Sequence, residues 1–106
     1  MYRGTTPTLT FTLPFPCENL DYVSIAFAQK KTAYSADPEM VLEKFLHDCV
    51  ASGYTLSLTL SEADTLALDD HYLVEIQLRV KYAGVSMASD IITDSVNRIL
   101  KDGCLP

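Results

Sequence analysis

The segment from Tyr72 to Tyr82 constrains the fold of this chain more than any other segment. Its even-numbered positions are apolar or aromatic, whereas the odd positions from 75 onwards are occupied by Glu75, Gln77, Arg79 and Lys81. A repeat of two residues is typical of a β-strand that has one face in a core and the other in water. The segment therefore predicts a β protein. None of its residues forms a site that performs chemistry, so it indicates a class of fold and not an activity.

Shorter segments show the same alternation and predict further strands. These are expected at residues 8–13, 22–29, 54–60 and 85–89. Residues 40–46 fit either a short helix or a strand that is buried on both sides, and we interpret them as a strand because their neighbours are strands. The run 91–100 alternates imperfectly, which indicates a bulge or a register break.

Turn and helix signals separate the later strands. Ala83-Gly84 separates two alternating segments and is expected to close a hairpin. Ser61 is followed three residues later by Asp64, a pattern that begins helices, so a short helical turn is expected near residues 62–68.

About seven short strands with turns between them predict an all-β protein, a two-sheet antiparallel immunoglobulin-like sandwich. Residues 1–106 have the size of a single domain, and a chain of 11.7 kDa can bury one core without a metal or a disulfide. That core is expected to contain the apolar side chains on one face of each strand: Leu9, Phe11, Leu13, Val23, Ile25, Phe27, Leu56, Leu58, Leu60, Val74, Ile76, Leu78 and Val80.

The chain is acidic, with a net charge of −6 and a pI of about 4.6. No Lys or Arg lies between Lys44 and Arg79, whereas the acidic residues in that interval are Asp48, Glu62, Asp64, Asp69, Asp70 and Glu75. Binding to nucleic acid is not expected, since neutralising phosphates needs clustered basic residues. We interpret the acidic residues as a solvated face, with a surface complementary to a basic partner as the alternative.

The sequence also predicts where the protein is found. Residues 1–7 lack the basic and apolar segments of a secretory signal, and no apolar run approaches the roughly 20 residues of a spanning helix. We therefore expect a protein that is cytoplasmic when synthesised and does not associate with a membrane.

Two short clusters contain the residue types that bind metals: Asp69-Asp70-His71 and His47-Asp48-Cys49. Adjacent residues of a strand point in opposite directions, and the sequence names no further ligand, so loop polarity is the preferred interpretation. The cysteines are odd in number and form no C-x-x-C pair, which favours free thiols at Cys17, Cys49 and Cys104.

Motifs for catalysis and for cofactors are not found either. Gly84-Val85-Ser86 matches only the first half of a nucleophile elbow, and it lies in a predicted hairpin. The four glycines are too widely scattered to form a phosphate-binding loop. We therefore predict that the protein is not an enzyme and has no catalytic, cofactor-binding or metal site.

Three segments resemble a group of small proteins encoded in prophage regions of gut Firmicutes: residues 1–8 (MYRGTTPT), 74–80 (VEIQLRV) and 98–103 (RILKDG). The resemblance spans nearly the whole chain. It implies an association with tail or baseplate genes, and a sandwich similar to the immunoglobulin-like modules of virion proteins. It brings no catalytic residues to this chain.

Two functions are expected from these observations. The first is a phage or prophage structural or accessory protein, either a component of a virion tail or baseplate or an assembly factor. It would dock on a protein partner, or on copies of itself, through strand edges or through loops such as 30–39 and 69–71. The second is an acidic inhibitor of a host nucleic-acid-binding enzyme, with Glu62, Asp64, Asp69 and Asp70 in the place of phosphates. A glycan-binding module is a minor alternative, for which the surface rings would be Tyr2, Tyr34 and Tyr54.

Overall fold

The computed structural model describes residues 1–32, 34 and 37–105. These residues form β1 (Thr8–Thr12), β2 (Tyr22–Gln29), β3 (Glu39–Phe45), β4 (Cys49–Ser52), β5 (Thr55–Thr59), α1 (Glu62–Leu66), β6 (Val74–Tyr82), β7 (Val85–Ala88) and β8 (Ile92–Asp94). Short 3-10 turns at Cys17–Asn19 and Leu46–Asp48 join β1 to β2 and β3 to β4.

The strands form two antiparallel sheets packed as a sandwich, which confirms the predicted fold class. One sheet has the order β1-β5-β4, and the other has the order β3-β2-β6-β7, with β8 also paired to β6. An immunoglobulin-like sandwich places strands A, B, E and D in one sheet and strands C′, C, F and G in the other. Here β1 takes the place of strand B at the edge of its sheet. Strand A, which would cover that edge, has no counterpart in the described part of the chain.

The strand that returns from the β6–β7 hairpin is interrupted between β7 and β8, just before the run 91–100 in which a bulge or register break was predicted. Ala83 and Gly84 both have positive φ, 51° and 80°, as a type I′ turn requires. Further along, Arg79 lies opposite Ala88, but Ile76 lies opposite Ile92, so three steps on β6 match four on the returning strand. This extra residue shifts the register between β7 and β8.

The core lies between the two sheets and is built from the predicted faces. The predicted residues of β2, of β6 and of the segment 56–60 are at most 6% exposed. Loop residues complete the core at positions that strand periodicity did not predict: Cys17, Leu20, Leu68 and Val96. Leu9, Phe11 and Leu13 point inward but are only partly buried.

The predicted helical turn is confirmed as α1. The Ser61 side chain accepts a hydrogen bond from the Asp64 backbone N–H at 3.1 Å, and the Asp64 carboxylate accepts one from the Ser61 N–H at 2.9 Å. This reciprocal pair caps the first turn. Asp64 also lies 3.0 Å from Lys44 Nζ, so the helix is tied to β3.

The structure corrects several details of the sequence interpretation. Residues 39–45 form a strand, but this strand is a partly exposed sheet edge and is not buried on both sides. Strand β4 was not predicted, because Cys49–Ser52 is short and has no clear alternation. The run 91–100 is a strand only at β8, and beyond it Asn97 forms a single bridge with Tyr2. In the predicted loop 30–39, residues 33, 35 and 36 lie outside the described residues.

Candidate docking site

The outer edge of β1 is the clearest candidate for a functional site. β1 pairs with β5 on one side, and no strand of the described chain pairs with its other side. Its sequence, Thr-Leu-Thr-Phe-Thr, contains no charge. Free strand edges offer unpaired backbone groups to other chains, and charged side chains are a common means of blocking such pairing.

Hydrogen bonds at the two ends of β1 show which of its backbone groups are free. The Pro7 carbonyl accepts from the Leu60 N–H at 2.9 Å, and the Leu13 N–H donates to the Tyr54 carbonyl at 2.8 Å. Alternate residues of an antiparallel strand face the same neighbour, so the odd residues of this segment face β5. The N–H and C=O groups of the even residues therefore point to the free edge: Thr8, Thr10 and Thr12.

An apolar groove runs beside this edge, between β1 and the facing strands of the other sheet. It comprises two cavities, one lined by residues 8–11 of β1 and one lined by residues 13–15, which follow the strand. The first, of ≈ 380 Å³, has the apolar lining residues Leu9, Phe11, Ile76 and Ile92. The second, of ≈ 240 Å³, is lined mainly by apolar residues that include Leu13, Phe15, Val80 and Met87. The groove explains why Leu9, Phe11 and Leu13 stay partly exposed, since no strand formed by the described residues covers them from the side.

The other sheet edges formed by the described residues are less suited to strand addition. β3 carries Glu39 and Lys44, and its register with β2 shifts between Phe27 and Ala28. The edge of β7 and β8 is interrupted by the extra residue between them. β4 has only 4 residues. Charges, irregular register and short length all hinder pairing with another chain.

The predicted cluster Asp69-Asp70-His71 does come together, at the start of the segment that leads into β6. His71 Nδ1 lies 2.7 Å from an Asp69 carboxylate oxygen and 3.2 Å from one of Asp70. The hydrogen bond with Asp69, together with the charges of Asp69 and Asp70, raises the pKa of His71. Hydrogen bonds from the backbone and side chain of His71 lower the pKa of Asp69. The possible metal-ligand atoms lie within 4.8 Å of one another, and ion pairing among the three residues accounts for this arrangement.

Among the described residues, the second cluster, His47-Asp48-Cys49, does not bring three possible metal-ligand atoms close together. His47 lies in the 3-10 turn before β4 and is 3.6 Å from Asp48, whereas the Cys49 thiol donates to the Phe45 carbonyl at 3.4 Å. Burial, reinforced by the Asp48 charge, raises the pKa of the Cys49 thiol. A raised pKa disfavours the thiolate, which is the nucleophilic form of cysteine. Cys17, Cys49 and Cys104 are all free thiols.

The acidic residues assigned to the inhibitor hypothesis have partners within the chain. Glu62 accepts a hydrogen bond from the Leu105 N–H at 2.8 Å. Asp64 is bound to Ser61 and Lys44, and Asp69 and Asp70 are bound to His71. These carboxylates therefore contribute to local structure.

The structure confirms the predicted exposed rings and adds a further group of aromatic side chains. Tyr2, Tyr34 and Tyr54 are exposed as predicted, but the described ring contacts involve other residues. On the outer face of the larger sheet, the Phe45 ring is centred 6.3 Å from Tyr22 and 6.0 Å from His47. The parity of Tyr22, opposite to that of Val23 and Ile25, was the available signal for this outward position.

No model of a known protein family matches this chain, and no match was found among curated proteins. Within residues 1–32, 34 and 37–105, no helix is long and apolar enough to cross a membrane.

Proposed function

We propose that this chain is a non-catalytic docking protein that binds a protein partner through the free edge of β1. The observation that carries the proposal is the combination of unpaired backbone groups at Thr8, Thr10 and Thr12 with an apolar groove beside them. An added strand would form main-chain hydrogen bonds with β1 and would cover the groove with alternate side chains. Docking therefore explains both the uncharged edge and the incomplete burial of Leu9, Phe11 and Leu13.

The biological setting that we propose is a phage or prophage, with the chain as a tail or baseplate component or an assembly factor. Support for this setting comes from the resemblance of residues 1–8, 74–80 and 98–103 to prophage-encoded proteins. Such a role needs specific contacts with other proteins and no catalysis, which is what a free strand edge offers. Incorporation into a virion is part of the same proposal.

Co-purification from a phage-producing host tests the docking site. The tagged wild-type chain is compared with Thr10→Pro, which removes an edge-facing N–H without removing a hydrogen bond to β5. Thr10→Val is the matched control, since it keeps that N–H. We expect the partner to be retained by the wild type and Thr10→Val and lost by Thr10→Pro. The same partner bound equally by all three chains would contradict the proposal.

The acidic-inhibitor alternative has less support, because its carboxylates are held by Lys44, His71 and backbone groups. The two functions differ in their response to salt. Binding through strand addition should weaken only modestly as salt rises, whereas an acidic mimic should lose affinity steeply. Neutralising Glu62, Asp64, Asp69 and Asp70 together should leave the affinity of a docking partner nearly unchanged. A collapse of binding would favour the inhibitor.

A further inference from the structure

We infer that the strand which adds to β1 is β1 of a second copy of this chain, paired antiparallel around a two-fold axis at Thr10. The inference rests on the proposed function, because it names the occupant of the same edge. Pairing of this kind joins two sheets of order β1-β5-β4 into one continuous sheet across the axis.

The backbone of β1 has the register that such a pair requires. Thr8, Thr10 and Thr12 direct both their N–H and C=O groups to the free edge. In an antiparallel pair, two opposed residues of this kind exchange both hydrogen bonds. With the axis at Thr10, this residue bonds to its own counterpart, and Thr8 bonds to Thr12 of the second copy. Every free backbone group of the edge is then paired.

The side chains of β1 are also self-complementary. Thr-Leu-Thr-Phe-Thr alternates symmetrically about Thr10, so antiparallel pairing places apolar residues opposite apolar residues and threonines opposite threonines. On the inner face, Leu9 meets Phe11 of the second copy. On the outer face, Thr8 meets Thr12 and Thr10 meets its counterpart. Threonine pairs and aliphatic–aromatic pairs both stabilise neighbouring strands.

Charge does not oppose this contact, although each copy carries a net charge of −6. β1 itself has no ionisable side chain. The acidic residue that lines the groove, Asp94, is paired at 3.2 Å with the amino group of Met1. Electrostatic repulsion between the copies therefore comes from more distant charges, which salt screens.

Some exposed apolar side chains lie beyond the area that a single strand added to β1 would cover. Ile92 lines the groove opposite Leu9 and Phe11 and is 50% exposed, and its neighbour Ile91 is 57% exposed. Ile92 lies in β8 of the other sheet, and Ile91 directly precedes that strand. A second copy is large enough to cover both sheets beside the groove, which favours it over an isolated strand.

Charged substitutions at Thr10, made singly and then mixed, test this dimer. The mass of the wild-type chain in solution is measured over a concentration series by light scattering and sedimentation, and a dimer is expected. Thr10→Lys and Thr10→Glu each place like charges against each other at the axis, so each variant alone should dimerise at least about tenfold more weakly. Mixing the two variants places opposite charges at the axis and should restore the dimer.

Ser52→Lys is the matched control, because Ser52 is exposed on β4, at the opposite edge of the same sheet. It should dimerise like the wild type. A wild-type chain that is monomeric at all concentrations overturns the inference, and so does a mixture of the two Thr10 variants that stays monomeric while each variant is folded by circular dichroism. The proposed function is judged separately, since a different partner that is lost with Thr10→Pro would still support docking if the wild-type chain is monomeric.

Discussion

Leu9 lies directly opposite Leu58 in the β1–β5 pair, yet Leu58 is 1% exposed whereas Leu9 is only partly buried. Opposed residues of two strands share a face of the sheet, so the difference does not come from orientation. In the part of the chain that the structure describes, β5 has a neighbouring strand on both sides and β1 has one. The exposure of Leu9 is therefore a direct consequence of the uncovered edge.

Truncation of the buried core should be costly. Ile76→Ala or Leu78→Ala should lower the free energy of unfolding by about 2–5 kcal/mol, because each removes buried methyl groups and leaves a cavity. Leu9→Ala is a matched control and should cost less, since Leu9 already contacts water. Denaturant unfolding measures these differences. Losses below about 1 kcal/mol for both core variants would show that the faces of β6 are assigned incorrectly.

The β6–β7 turn should respond in opposite directions to two substitutions. Ala83 has a φ of 51°, a conformation that costs a side chain such as alanine about 1–2 kcal/mol. Ala83→Asn should therefore stabilise the chain by up to about 1 kcal/mol, because asparagine tolerates this conformation. Gly84→Ala, at a φ of 80°, should destabilise it by a similar amount. Thermal unfolding checks both, and a stabilising Gly84→Ala would contradict the type I′ turn.

The cap of α1 should make the stability of the fold depend on pH. Burial by itself raises the pKa of Asp64, but hydrogen bonds from Ser61 and the contact with Lys44 outweigh this effect and lower it. A carboxylate with a lowered pKa stabilises the fold above its unfolded pKa, and this contribution is lost as the pH falls through the folded value. Asp64→Asn should therefore be less stable than the wild type at neutral pH, by about 1 kcal/mol.

Urea unfolding at a series of pH values tests this prediction. The difference between the wild type and Asp64→Asn should be constant near neutral pH and should shrink in acid. A difference that does not change with pH would mean that the charge of Asp64 has no role in stability.

The His71 cluster should be visible as a shifted titration. His71 should remain protonated to a higher pH than an ordinary histidine, because Asp69 and Asp70 lie beside it. Asp69→Asn should lower the pKa of His71 towards its ordinary value, since Asp69 provides the hydrogen bond and the larger share of the charge. Proton NMR of the imidazole measures both values. An unchanged pKa in Asp69→Asn would rule out the ion pair as its cause.

The same cluster should not retain a metal. Each of its residues already has a charged partner within the cluster, and all three lie at the surface or are only partly buried. We therefore expect no stoichiometric metal in the purified protein, as measured by elemental analysis before and after a chelator. A metal that is present at one equivalent and is lost in His71→Ala would contradict this expectation.

The alternation of side chains determined most of the strands and their buried faces. Tyr22–Gln29 and Val74–Tyr82 could be predicted because each is long enough for its pattern to exclude a helix. The cap at Ser61 and the turn at Ala83-Gly84 were also local, since each depends on residues only a few positions apart. Short segments such as Cys49–Ser52 have too few residues for an alternation to be recognised, so this strand was not predicted.

Only the tertiary structure decided which strand lies at an open edge. The pattern of β1 shows that Leu9 and Phe11 face inward, but alternation is the same in a central strand and in an edge strand. The neighbours of β1 are set by pairing with β5, which lies more than 40 residues further along the chain. Tertiary structure also decided which loop residues are buried: Cys17, Leu20, Leu68 and Val96. Loop sequences have no regular alternation, so their burial depends on the strands that they contact. The class of fold follows from local side-chain order, whereas the candidate docking site follows from long-range pairing that leaves one side of β1 uncovered.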